Sequence, residues 1–193
     1  MEYSKEHGGF YTLPGPLDRP LVVGFHGFGM SPGDEWWRMF SFPKRSGLLD
    51  ALQQRRWGAI FLSAGWNRNW SIGDWGRVVD AVRDRSQGRR VIGVAHSDGV
   101  LGMLAADSYV PDLFDALICV GGVYDSKVDA VPGNPLWFTC GEHDVRAVRG
   151  SLGPFVSHYE SAGRTVRSAV VLGSGHAWPT QLNASFLDWA EHA

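Results

Sequence analysis

The sequence predicts an α/β fold built on a mainly parallel sheet, and three observations carry that prediction. Apolar runs of strand length alternate with amphipathic stretches of helix length from about Leu21 to the end of the chain. Most of the apolar runs are continuous, the pattern of strands buried on both faces. Each run is bounded by glycine, proline or polar residues that mark turns.

Taken in order, Leu21–Phe25, Ala59–Ser63, Val91–Ala95, Ala116–Val120, Leu136–Cys140 and Val166–Leu172 read as strands. Helical patterns fill the gaps: Asp34 to about Gln54 with a break near Pro43, then Asp74–Arg85, Asp98–Ser108, Val148–Ala162 and Gln181–Glu191. Ahead of the first run, Phe10–Leu13 fits an antiparallel edge strand, followed by a stretch punctuated by Pro14, Pro16 and Pro20. No linker or repeat divides the 193 residues, so residues 1–193 are expected to form one domain.

Composition narrows the function classes. Hydrophobic residues at 44% and charged residues at 20% are those of a globular domain, and 25 glycines point to tight turns and close backbone approaches. A net charge of −2 provides no general attraction for nucleic acid or an anionic membrane, so neither is expected as a partner. The basic run Arg83, Arg85, Arg89 and Arg90 falls at the end of a predicted helix, where cations meet the negative end of the dipole. Cys119 and Cys140 lie inside predicted strands and do not suggest a disulfide framework. No stretch has signal-peptide or membrane-spanning character, and a cytoplasmic location is the expectation. Oligomeric state leaves no trace in the sequence.

One segment carries chemistry. In Val91-Ile92-Gly93-Val94-Ala95-His96-Ser97-Asp98-Gly99 a serine stands between a buried strand and a helix, with small residues two positions before and after it. Such a sharp turn brings strand and helix nearly into contact and projects the serine outward. Gly102, which costs about 1 kcal/mol relative to alanine inside a helix, is consistent with close approach of that helix to a strand. Ser97 as a simple helix N-cap is the plain structural alternative. A serine hydroxyl becomes a nucleophile only when a base takes its proton, and the base needs a carboxylate to set its tautomer. His176 follows the last predicted strand in Gly173-Ser174-Gly175-His176, and Asp144 follows the one before it in Gly141-Glu142-His143-Asp144. Loops after parallel strands converge on one sheet edge.

These motifs resemble the α/β-hydrolase superfamily, in which the order along the chain is serine, acid, histidine, and the resemblance covers Leu21 to His192. It implies a single-domain α/β-hydrolase fold with Ser97 after the fifth strand, Asp144 after the seventh and His176 after the eighth. Ala95 departs from the glycine usual at that position. His26-Gly27-Phe28-Gly29 is similar to the family's oxyanion loop, which implies that the amides of Phe28 and Asp98 hold a developing oxyanion. Loss of one such donor costs roughly 3–4 kcal/mol of transition-state stabilisation. The connection Gly121–Pro135 is too short for the cap domain of many relatives, so an open site is expected. The small-carboxylesterase and polyester-depolymerase-like branches stand nearest. The expected reaction is hydrolysis of a small or polymeric ester without a cofactor. Thioesterase or acyltransferase chemistry with the same three residues, or a catalytically silent binding module, are the alternatives.

The remaining candidates have blander readings. Asp125, after the sixth strand, is the reserve acid, and Glu142 reads as a turn residue. His26 and His96 read as supports for the oxyanion loop and the elbow, and the seven histidines lack metal-ligand spacing, so no metal is expected. Of nine tryptophans, Trp66, Trp70 and Trp178 fall near the predicted active edge and are candidates to line a substrate pocket, with Arg68 between the first two; Trp57 and Trp189 read as structural.

Overall fold

Alternation along each strand divides the core into two layers, and the computed structural model displays both. It describes residues 2–4, 10–27, 43–62, 75–122, 129, 131–145 and 152–193. Along the strand Leu21–Phe25 (β3), Leu21, Val23 and Phe25 enter one layer and Val22 the other. The strands Val91–His96 (β5) and Leu136–Gly141 (β7) divide in the same way, with Val91 and Phe138 on the first side and Ile92 and Trp137 on the second. Helices Trp75–Ser86 (α2), Gly99–Tyr109 (α3) and Leu152–Ser161 (α4) cover the first layer; Leu48–Arg55 (α1) and Asn183–His192 (α5) cover the second.

Among the described residues eight strands form one sheet in the order β1-β2-β4-β3-β5-β6-β7-β8, where β1 is Glu2–Ser4, β2 Phe10–Leu13, β4 Gly58–Leu62, β6 Ala116–Val120 and β8 Val166–Val171. From β4 to β8 all pairings are parallel, while β2 runs antiparallel to β4 and β1 antiparallel to β2. The six parallel strands agree with the sequence reading, but Phe10–Leu13 is not the edge. Glu2–Ser4 pairs outside it. Three residues without an apolar run offer no pattern to read, so only pairing with β2 makes them a strand.

The stretch read as helix from Asp34 to Gln54 is described only from residue 43. Within the described part a break falls at Gly47, in the left-handed region at φ 65°, and the residues immediately ahead of Pro43 lie outside the described residues. Ser46 Oγ accepts the Leu48 N–H there at 3.3 Å, and Gly47 is the residue that precedes α1. The last helix is preceded by a 3-10 turn, Thr180–Leu182.

Two residues of the basic run bond carbonyls at the ends of two different helices. Arg89 donates from Nε to the Ser86 carbonyl at 3.1 Å, at the end of α2, and Arg90 from Nε to the Ala190 carbonyl at 3.1 Å, at the end of α5. Cys119 and Cys140 are both free and buried. The far end of α3 is tied to the entry of β8 by a buried ion pair between Asp107 and Arg164. Burial raises the Asp107 carboxyl above the ordinary carboxylate range, and Arg164 pulls it back down. Among the described residues no helix is long and apolar enough to cross a membrane.

Candidate active site

The site sits where β5, β6, β7 and β8 end. β5 runs directly into α3 through Ser97 and Asp98, and Ser97 holds φ 56°, a conformation that costs a non-glycine residue about 1–3 kcal/mol. Its backbone is held there because the Ser97 N–H donates to the Val120 carbonyl at 2.9 Å and the Val100 N–H to the Ser97 carbonyl at 3.0 Å. Gly99 permits the sharp turn: a Cβ there would lie 2.5 Å from the Phe25 carbonyl oxygen and 2.6 Å from that of His26. The positive end of α3 therefore lies at the serine.

Asp144 and His176 are brought to Ser97 by two loops fastened to each other. The Glu142 N–H donates to the Val171 carbonyl at 2.9 Å, the His143 N–H to the Ser174 carbonyl at 2.8 Å, and the Gly173 N–H to Glu142 Oε2 at 2.9 Å. Glu142 is thus a loop clasp, in keeping with its reading as a turn residue. The loop after β8 crosses directly over Gly141, where a Cβ would meet the Ser174 and Gly175 carbonyl oxygens at 2.3 Å. Gly141→Ala must therefore part the two loops. We expect it to lower stability by about 1–3 kcal/mol in urea unfolding and to slow acylation of Ser97 by a reactive reagent. An unchanged unfolding midpoint would show that the loops are not in fact clasped.

The result is a chain of hydrogen bonds. Asp144, 1% exposed, accepts from His176 Nδ1 at 2.8 Å, and His176 Nε2 lies 2.8 Å from Ser97 Oγ. An ionised carboxylate can only accept, so the proton sits on Nδ1, and Nε2 is left to accept from the serine hydroxyl. Ser97 is 7% exposed and the His176 side chain 27%, so the histidine is the more accessible of the two. Gly121, at φ 59°, floors this pair; a Cβ there would stand 3.2 Å from Asp144 Oδ2 and 3.4 Å from the His176 ring. An imidazole so placed can draw a proton from the hydroxyl as oxygen attacks a carbonyl.

Two aromatic residues complete the inner wall. His96 stacks on His176 with ring centroids 5.2 Å apart, and the Trp178 ring meets His96 edge-on at 6.4 Å. Trp178 Nε1 donates to Asn183 Oδ1 at 2.7 Å, and Asn183 Nδ2 donates to the Ser46 carbonyl at 2.7 Å. Burial, with a smaller contribution from His176, lowers the His96 pKa to about 4; Asp144 acts in the opposite direction.

Of the residues singled out from the sequence, Ser97, Asp98, Asp144, His176 and Trp178 come together here. Trp178 reaches the site as a packed wall with its N–H bonded internally. Trp57 is buried, and Trp189 packs on Trp137 at 5.6 Å, in keeping with structural roles. Phe28, Trp66, Arg68, Trp70 and Asp125 lie outside the described residues. His26 is buried, its Nδ1 donating to the Gly27 carbonyl at 2.7 Å. Among the described residues no group of three or more His, Cys, Asp or Glu side chains is placed to hold a metal ion. Gly121, Gly141 and Asn183 were not singled out from the sequence. For the two glycines the available signal was a glycine immediately after an apolar strand.

No protein-family model matches the sequence, and no curated protein matches it by sequence similarity. Solved structures do match its fold. The dienelactone hydrolase of Anabaena variabilis is 20% identical, with a TM-score of 0.68 over 95% of this chain and 89% of the other. The Bacillus cereus carboxylesterase is 11% identical, with a TM-score of 0.68 over 94% and 92%. The Paleococcus ferrophilus monoacylglycerol lipase is 12% identical, with a TM-score of 0.65 over the full length of both chains. The chain has the α/β-hydrolase fold, in a single domain.

Proposed function

We propose that this protein is a serine hydrolase that cleaves carboxylic esters. The observation that carries the reading is the Ser97–His176–Asp144 chain, with both bonds at 2.8 Å, at a strained turn between strand and helix. The carboxylesterase and the lipase that share the fold are consistent with it. In the proposed reaction His176 takes the hydroxyl proton while Ser97 Oγ attacks the ester carbonyl carbon. The oxyanion of the tetrahedral intermediate is held by the amides of Asp98 and Phe28. Collapse breaks the bond to the alcohol, which leaves with the proton from His176, and the acyl group stays on Ser97. Water then gives a proton to His176 and attacks the acyl carbon, and expulsion of Ser97 Oγ, reprotonated by His176, releases the acid.

The short Gly121–Pro135 connection supports an uncapped site, which favours small esters or the exposed bonds of a polymer. Hydrolysis of p-nitrophenyl acetate, butyrate and dodecanoate tests this. We expect kcat/KM to be higher for the two short esters than for dodecanoate. The reverse order would overturn the open-site reading. No turnover of any ester by folded protein, with no acyl-enzyme by mass, would turn the assignment to a silent binding module.

A further inference from the structure

We propose that His96 is a positioning residue for the His176 base, acting through the face of its ring as the inner wall against which His176 is held. The inference rests on the serine-hydrolase reading of Ser97, His176 and Asp144. The hydrogen bonds to Asp144 Oδ2 and Ser97 Oγ fix the ends of the imidazole, but they leave it free to tip about the line joining Nδ1 and Nε2. The His176 side chain is 27% exposed, so packing does not enclose it completely. On the inner side His96 stands 5.2 Å away, inclined by 35°, and opposes that tipping.

His96 is itself firmly held. It is the last residue of β5, paired in register with Val120 of β6, and the next residue is Ser97. Trp178 abuts it edge-on, and that indole is fixed by Asn183, which is in turn tied to the Ser46 carbonyl, and by Phe186 at 5.7 Å. One residue thus links the backbone that carries the nucleophile to the ring that serves as base. Of the described groups acting on it, His176 and Asp144 titrate, and Trp178 does not. Burial keeps His96 uncharged near neutral pH, so a proton arriving on His176 meets no like charge behind it.

The test is the second-order rate of Ser97 phosphonylation by a fluorophosphonate near neutral pH, in which Ser97 Oγ bonds to phosphorus and fluoride leaves, followed by intact mass, for wild type, His96→Phe and His96→Leu, with Tm measured for each. Phenylalanine keeps a flat face and leucine fills space without one. The expected result is a rate close to wild type for His96→Phe and a loss of up to about 10²-fold for His96→Leu, the scale associated with a misplaced catalytic group. Equal rates for leucine and wild type would overturn the inference and leave the hydrolase reading intact, as would equal losses in both variants, which would assign the effect to the imidazole nitrogens. A wild type that takes no label at Ser97 would overturn the hydrolase reading itself, and this inference with it. Should His96→Leu fail to fold, His96→Met, which also lacks a flat face, takes its place: a loss against His96→Phe supports the wall, and a rate equal to wild type overturns it.

Discussion

Ser97→Ala is expected to abolish fluorophosphonate labelling and to lower ester kcat by about 10⁶-fold, with Tm little changed. In the proposed mechanism the loss is large because the hydroxyl is the atom that bonds to the acyl carbon, and His176 and the oxyanion donors would have no substitute nucleophile to serve. What remains comes from binding and oxyanion stabilisation, roughly 10³–10⁴-fold over water. The fold tolerates the change because the Ser97 backbone is held by its own N–H and carbonyl, which alanine keeps. The Nε2 of His176 loses a partner, but that side chain is 27% exposed and water can take the place of the hydroxyl. Intact mass before and after labelling, with a thermal melt, checks both halves. An adduct that persists on Ser97→Ala would move the nucleophile elsewhere.

Asp144→Asn is expected to cost about 10⁴-fold in kcat, with the geometry retained. Asparagine fills the same space, yet its NH₂ can donate to Nδ1 of His176. The imidazole then carries its proton on Nε2, facing Ser97 Oγ, and cannot accept the hydroxyl proton. The effect is large because Asp144 is buried, so no solvent relieves the wrong tautomer. Asp125→Asn, at the reserve position, is expected to leave kcat unchanged. Steady-state ester hydrolysis by the two variants decides between them, and full activity in Asp144→Asn with loss in Asp125→Asn would reassign the acid.

Much of this could be read before any coordinates. Strands such as Leu21–Phe25 and Ala116–Val120 were legible because strands buried on both faces must be apolar throughout, and these are buried along their whole lengths; Val166–Val171, at the sheet edge, is largely unburied and was marked only by its apolar Ala169–Val171 end. Ser97 was legible because the constraint on an elbow is local: a strand, small neighbours and a helix start within nine residues. The N-terminal edge was not, since Glu2–Ser4 becomes a strand only by pairing with Phe10–Leu13.

By itself, then, the sequence determined the fold class, the order of the parallel strands along the chain, and which side chains could serve as nucleophile, acid and base, all consequences of patterns within short stretches. Only the tertiary structure decided that they meet. His176 is 32 positions from Asp144 and 79 from Ser97, and hydrogen bonds at 2.8 Å across such separations depend on how parallel strands place their loops at one edge. The same packing decided that Gly141 must lack a side chain, that Glu142 is a clasp, and that His96 backs His176. A close approach between distant segments is a property of the packed sheet and leaves only faint marks, such as a glycine after a strand, in the order of the residues.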